Sequence, residues 1–373
     1  MVDKTAKNKS AKTKTETSTE TTGKKKELDV YLIIERLLNP ANCSTDRKPT
    51  NISSEEVWQL CSAMTDVFKS EDNVVEVGGA TNVIGDLHGH LTDLVRALMA
   101  RTADEMREDR KDVDRGKRRR QPFASQRYVF LGDYLHNERR PLEVICLLFA
   151  LKLAKPNSYI LLRGSTECPS NNLTFFHQLE MYYKAEGNAE KLWRKFNETF
   201  SWMPLIAIVG TRILCVHGGI SPHFKTFDDV RMIKRPLMNP LDDPLATDLI
   251  WSDTLDYDFI HVPSSKPKYE MNDLRHVSVF YNEAAVKEFC NRLGLKMIIR
   301  SHLMVPFGFR FFADKMLVTI FTASNYRHKQ NNGAMIKISA KGKISIVSLI
   351  SLPAHNDDFE ENAQPMEDTG GEK

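Results

Sequence analysis

Three short segments carry residue types that do chemistry: Gly85-Asp86-Leu87-His88-Gly89, Gly132-Asp133-Tyr134 and Val216-His217-Gly218-Gly219. Each sets an aspartate or histidine in a tight turn just after an apolar run, namely Asn82-Val83-Ile84, Tyr128-Val129-Phe130-Leu131 and Ile213-Leu214-Cys215-Val216. A strand followed by a glycine turn aims hard oxygen and imidazole ligands at one point beyond the strand ends, as a divalent metal centre requires. Leu161-Leu162-Arg163-Gly164-Ser165-Thr166-Glu167 and Met297-Ile298-Ile299-Arg300-Ser301-His302 extend the series. Asp86 and His88 are two apart, so an extended turn lets both reach the same side. Asp133 arrives from a second strand, and a carboxylate can bridge two cations. His217 and His302 add neutral imidazoles from distant parts of the chain. Two cations about 3.5–4 Å apart clamp a phosphoryl group and sharpen a bridging water into hydroxide. One such turn alone is often purely structural; five in this order point to a metal centre.

The elements that must position these residues follow from the apolar spacing. Residues 28–38 and 54–68 have helical periodicity, the second opening on Ser53-Ser54-Glu55-Glu56 in capping-box style. Residues 91–99 and 141–153 also read as helices, each following a ligand turn. Short Val/Ile/Leu runs before the turns read as strands, with more at 316–321 and 334–338. Strands, ligand turns and helices in rotation predict an α/β or α+β domain with its site at the strand ends.

At 373 residues the chain has ample length for a buried core. No apolar run approaches membrane-spanning length, and no apolar secretory core opens the sequence. Six cysteines (Cys43, Cys61, Cys146, Cys168, Cys215, Cys290) are scattered singly, which suits reduced thiols in a cytoplasmic and/or nuclear protein. A net charge of +3 is too small to argue for nucleic acid. Residues 1–27 read as a disordered basic tail and 353–373 as a disordered acidic one. Residues 101–121, dense in charge (Lys117-Arg118-Arg119-Arg120), read as a surface loop inserted in a domain spanning 28–352.

Beyond the motifs, Leu142-Glu143-Val144-Ile145-Cys146-Leu147-Leu148, Lys191-Leu192-Trp193, Trp251-Ser252-Asp253 and Phe321-Thr322-Ala323-Ser324-Asn325-Tyr326 stand in order. Together with them the chain resembles the metal-dependent phosphoprotein phosphatases acting on phosphoserine and phosphothreonine, most nearly the type-1 protein phosphatase catalytic subunit. The resemblance implies a metallophosphoesterase fold, a central β-sandwich flanked by helices. It also implies two metal ions at the strand ends (manganese, or iron and zinc) and direct attack of water on phosphorus. By position it gives Asp86, His88 and Asp133 to the first metal, and Asp133, His217 and His302 to the second. Arg275 falls where the family places a phosphate-binding arginine, with one residue inserted before it, and Tyr326 matches a tyrosine lining the site. The bland alternatives are a turn-capping His217 and an Arg275 paired with a surface carboxylate.

The chain departs from the family where the chemistry sits. The family's second motif runs Gly-Asp-x-x-Asp-Arg-Gly; in Gly132-Asp133-Tyr134-Leu135-His136-Asn137-Glu138, His136 replaces an aspartate and Asn137 a phosphate-gripping arginine. The third runs Arg-Gly-Asn-His-Glu; here Ser165 replaces an amide-oxygen ligand of the second metal, and Thr166 the histidine that protonates the leaving group. A threonine hydroxyl is far too weak an acid for that task, and losing a positioned general acid costs roughly 10²–10⁴ in rate. One rescue route uses His136 as the acid, with Arg139 or Arg140 turned toward the phosphate. Arg327 follows Tyr326 at the cleft rim, where the family often has cysteine. The resemblance and these departures together imply a serine/threonine phosphatase of reduced activity. The alternative is a pseudophosphatase holding phosphoproteins or regulatory subunits without turning them over. Nucleic-acid association through the basic runs stands far behind, and no membrane partner is expected.

Overall fold

The computed structural model describes residues 27–39, 52–102, 105–106, 126–136, 140–255 and 267–351. The tail expected over 1–27 (save residue 27), the tail over 353–373, most of the 101–121 insertion, Cys43, Asn137 and Arg139 lie outside them. Short Val/Ile/Leu runs form the centre. The strands are β1 (Val74–Val77), β2 (Thr81–Ile84), β3 (Arg127–Phe130), β4 (Tyr159–Leu161), β5 (Ile206–Val209) and β6 (Ile213–Val216). Then come β7 (Asp253–Thr254), β8 (Tyr269–Met271), β9 (Val279–Tyr281), β10 (Met297–Arg300), β11 (Phe309–Phe312), β12 (Leu317–Ile320), β13 (Gly333–Ile338) and β14 (Ile344–Leu349).

They assemble into a six-stranded sheet (β1-β5-β6-β10-β12-β11), a five-stranded sheet (β14-β13-β2-β3-β4) and a small three-stranded one (β7-β9-β8). In the five-stranded sheet β2, β3 and β4 run parallel, with Val83 paired to Val129 and Val129 to Ile160. In the six-stranded sheet β6, β10 and β12 run parallel, with Leu214 paired to Ile298 and Ile298 to Leu317. Parallel strands deliver their C-terminal ends to one edge, and every predicted ligand follows such an end.

The two large sheets lie face to face. Val83, Val129, Leu131 and Ile160 from one meet Ala207, Cys215, Ile299 and Val318 from the other in a dry interior. The helix Pro141–Ala154, apolar around its whole circumference and started by proline, is buried against the outer face of the five-stranded sheet. The helices Pro244–Trp251 and Glu283–Leu293 cover the six-stranded sheet with Leu249, Ile250, Val286 and Phe289. This is an α/β domain, as the element pattern predicts, and the helix-flanked sandwich that the resemblance implies. The other predicted helices fall at Val30–Leu38, Ser54–Ser70 with its capping box complete, and Leu91–Met99. No helix of the described residues is long and apolar enough to cross a membrane. The described cysteines are buried and free.

Candidate metal centre

The loops leaving β2, β3, β4, β6 and β10 hold one another through the backbone. The Asp133 carbonyl accepts from the amides of Leu87 (3.0 Å) and His88 (2.8 Å). Ser301 links both sheets: its hydroxyl accepts from the Asp86 amide (2.8 Å) and donates to the Ile320 carbonyl (2.7 Å), while its amide donates to the His217 carbonyl (3.0 Å). Buried Glu167 clamps the loops after β3 and β4. Its carboxylate accepts from the amides of Asp133 (2.9 Å), Tyr134 (3.0 Å) and Gly164 (3.0 Å). Gly132 (φ 112°) meets Gly164 so closely that a Cβ on Gly132 would lie 2.5 Å from the Gly164 Cα. Three predicted ligands, His88 (φ 43°), Asp133 (φ 53°) and His302 (φ 67°), adopt the left-handed backbone that non-glycine residues seldom accept. Such strain persists only where the surroundings over-determine it, as this network does.

The five predicted ligand side chains converge. Asp86, His88 and Asp133 form one buried group, and Asp133, His217 and His302 a second, so Asp133 belongs to both. His217 Nδ1 lies 3.0 Å from the Leu131 carbonyl, which only accepts, so Nδ1 donates and Nε2 is the nitrogen turned toward the other ligands. His217 Nε2 lies 3.2 Å from Asp133 Oδ1 and 3.0 Å from His302 Nδ1. In the first group His88 Nε2 lies 3.4 Å from Asp86 Oδ2 and 3.8 Å from Asp133 Oδ2, with Nδ1 toward the Leu135 carbonyl.

Electrostatics sharpens the picture. Burial pushes the Asp86 carboxyl upward, but the hydrogen bond from His88 and the charges of His217 and His88 outweigh it, leaving it below its ordinary value. For Asp133, burial is outweighed in the same way, chiefly by His217. Burial, reinforced by the Arg275 and His217 charges, pushes His302 far down, so its imidazole is neutral. Burial opposes protonation of His88 as well, but the Asp86 hydrogen bond and the two aspartate charges raise it. Buried carboxylates and imidazole nitrogens converging on two points, with one shared carboxylate, make the donor set that two divalent cations take. The residues fit the expected metals.

The other predicted residues divide. The Ser165 hydroxyl donates to Asp133 and so presents a proton where the family has a ligand oxygen. The Thr166 hydroxyl donates to Glu167 Oε1 (2.8 Å) and accepts from the Leu135 amide (3.3 Å), so both its hydrogen-bonding roles serve the loop. Tyr326 stacks on His88, ring centroids 4.6 Å apart, and the His136 ring meets His88 edge-on at 5.3 Å. His136 Nε2 accepts from Arg327 Nη2 at 2.8 Å. Arg275 reaches the second group: Nη2 donates to the His302 carbonyl (2.9 Å) and Nε to Asp253 Oδ2 (2.5 Å).

Its carboxylate partner is therefore a buried one, not a surface one. Asp253 also receives Nη2 of fully buried Arg300 (2.8 Å), whose Nε donates to the Gly218 carbonyl (2.6 Å) beside His217. Sequence reasoning assigned no role to Asp253, Ser301 or Glu167, although the first lies in the conspicuous Trp251-Ser252-Asp253 segment and the others border ligands. Asp93 also went unremarked; its Oδ2 accepts from the amide (2.6 Å) and hydroxyl (2.9 Å) of Ser324, tying the helix after β2 to the loop carrying Tyr326.

The sequence profile described as calcineurin-like phosphoesterase matches residues 81–306, more than half of the chain and the whole span from β2 past His302. The chain belongs to the calcineurin-like phosphoesterases. This phosphoesterase is 34% identical over 309 residues to the serine/threonine-protein phosphatase PP1-delta of Caenorhabditis elegans, covering 82% of its own length and 90% of that protein. It shares the same identity, over 297 residues, with the serine/threonine-protein phosphatase C23G10.1 of Caenorhabditis elegans, covering 79% of itself but only 59% of that protein's length. Its fold matches, with a TM-score of 0.65 at 21% identity, a protein serine/threonine phosphatase from Saccharomyces cerevisiae with similarity to human phosphatase PP5. That match covers 82% of this chain and 92% of the other. The phosphoesterase is thus serine/threonine-phosphatase-like in sequence and fold.

Proposed function

We propose that this phosphoesterase removes phosphate from phosphoserine and phosphothreonine in proteins, at a rate far below that of relatives with the full motif set. The observation that carries the proposal is the convergence of Asp86, His88, Asp133, His217 and His302 on two groups sharing Asp133. Bound there, two cations supply Lewis-acid polarisation of the phosphoryl oxygens and an acidified water. The chain's own part is to fix geometry: the Asp133 and Ser301 contacts hold the ligand loops in register, Arg275 stands beside His302 to receive a phosphoryl oxygen, and Tyr326 walls the site against His88. What the chain does not supply is a proton for the departing serine alkoxide, because the Thr166 hydroxyl is committed to Glu167. Phosphoprotein segments and regulatory subunits are the partners that go with this reading.

A second reading, a pseudophosphatase that holds phosphoproteins or regulatory subunits, draws on Ser165 and Thr166, both of whose hydroxyls serve hydrogen bonds within the loops. One comparison separates the two. The manganese-loaded protein is assayed on an activated aryl phosphate and a phosphoserine peptide, beside the variant His136→Asp/Asn137→Arg/Ser165→Asn/Thr166→His. An aryl phosphate needs little acid help, so activity on it with little on the peptide supports the slow enzyme. No activity on either, with rescue by the variant, supports the binding protein. Elemental analysis of the same sample counts the cations, and a preparation that takes up none removes the basis of both readings.

A further inference from the structure

The four-residue stretch after Asn325 puts an exposed guanidinium over the site. Asn331, buried, fixes the turn: its side-chain oxygen accepts from the Tyr326 amide (2.8 Å), its carbonyl from the Asn325 amide (2.8 Å), and its amide nitrogen donates to the Ala323 carbonyl (2.8 Å). So held, Asn325 (φ 50°) and Arg327 (φ 48°, ψ 39°) both take the left-handed conformation. The second of these turns the Arg327 side chain back over Tyr326, its guanidinium carbon 5.3 Å from the ring centre. One of its N–H groups reaches His136 Nε2. His136 and Tyr326 both touch the His88 ring. Arg275, on the other side, donates to the His302 carbonyl. Arg275 therefore touches the second ligand group directly, and Arg327 reaches the first through His136 and Tyr326.

We propose that Arg327 is a phosphate-gripping residue of this chain, closing on a bound phosphoryl group from the His88 side while Arg275 holds it from the His302 side. The inference rests on the two-metal reading above and deepens it, because the His136-Asn137 segment carries no arginine where the motif of the resemblance has one. A guanidinium offers five N–H donors in a planar fork matched to phosphate oxygens, and it stays charged at any working pH. Engagement of one donor by His136 fixes the plane of the fork, which reduces the conformational entropy lost on gripping an anion. The left-handed Arg327 backbone is consistent with such a clamp, since strain of this kind gathers at ligand sites. Lys329, exposed on the same turn, serves as the control for bulk positive charge.

The test is calorimetric titration of the full manganese-loaded chain with inorganic phosphate and with a phosphoserine peptide, comparing wild type with Arg327→Ala, Arg327→Lys and Lys329→Ala. Metal content of every sample is measured alongside. Loss of a charge-assisted hydrogen bond to phosphate should weaken both probes by roughly 10–100-fold in Arg327→Ala. Arg327→Lys should recover part of that loss and Lys329→Ala should bind as wild type, all at unchanged metal content and Tm. Wild-type affinity in Arg327→Ala overturns the clamp and leaves the two-metal reading intact. Equal weakening by Lys329→Ala also overturns it, because diffuse charge would then suffice. A wild type that holds two cations yet binds neither probe overturns the clamp and the phosphate reading together.

Discussion

The hydroxyl of Ser165 donates to both carboxylate oxygens of Asp133, at 3.0 and 3.1 Å. Asp133 Oδ1 also accepts from the Thr166 amide at 2.8 Å. The one carboxylate common to both ligand groups is thus drawn toward the loop after β4; on the two-metal reading proposed above, Ser165 would offer a second cation no amide oxygen and would make the shared carboxylate less basic. Ser165→Asn should restore a carbonyl oxygen and raise affinity for the second cation by roughly 10–100-fold, the scale on which neighbours of metal ligands act. Ser165→Ala should fall between that variant and wild type. Competition against a chelating dye reads both, and identical second-site affinity in all three proteins would refute the argument.

His136 tests whether the replaced acid has a stand-in. Because its Nε2 already accepts a hydrogen bond from a permanently charged guanidinium, that nitrogen carries no proton to give. His136→Ala is therefore expected to slow aryl-phosphate hydrolysis by less than about tenfold, short of the roughly 10²–10⁴ that removal of a working general acid costs. A loss in the larger range would reinstate His136 as the acid.

Asp253 makes a prediction about stability and pH. It is the common partner of Arg275 and of Arg300, whose side chain is fully buried. Removing the charge strands a guanidinium, which for a buried pair costs about 3–5 kcal/mol, so Asp253→Asn should lower Tm clearly. Burial pushes this carboxyl upward, but the charges of Arg300 and Arg275 outweigh it and its folded value lies below the ordinary one. The native state then binds fewer protons than the unfolded chain. Its stabilisation is complete above about pH 4 and is lost as pH falls through the folded value. Denaturant titrations from about pH 6 down to about pH 3 should show the gap between wild type and variant narrowing with acid; a constant gap would assign the effect to packing.

Gly132 carries the tightest backbone requirement. At φ 112° and with Gly164 against it, a methyl group meets both strain and a 2.5 Å contact with main-chain atoms. Gly132→Ala should destabilise by at least about 1–3 kcal/mol, the cost of a strained backbone alone, and should shift the Asp133 loop. Chemical denaturation together with metal content should report both losses, and retention of wild-type metal stoichiometry would show that the loop relaxes elsewhere.

Much of this was legible in the residues. Glycine-flanked Asp86, Asp133 and His217 at strand ends announced ligands because local spacing dictates where such turns point. The central strands were visible as apolar runs, since β2, β4, β5, β6 and β12 are buried along their whole length. Arg275 needed tertiary information: its position suggested phosphate, but only the fold brings Asp253 to it. Thr166 and Ser165 were readable as losses, whereas the direction of each hydroxyl depends on Glu167 and Asp133 across two loops. Arg327 was seen only as an oddity at a rim. Its reach toward His136 arises from a left-handed turn set by Asn331, and no periodicity encodes that.

The origin of the ligands has a mechanical consequence. Asp86, His88 and Asp133 leave the five-stranded sheet, and His217 and His302 leave the six-stranded one. A cation held by the second group, as proposed above, would therefore act as a cross-strut pinning two halves of the sandwich at a single edge. Chelation should be felt as a loosening between layers: amide exchange should quicken together in β3 and β10, while the helix Ser54–Ser70, anchored elsewhere, stays as slow as before.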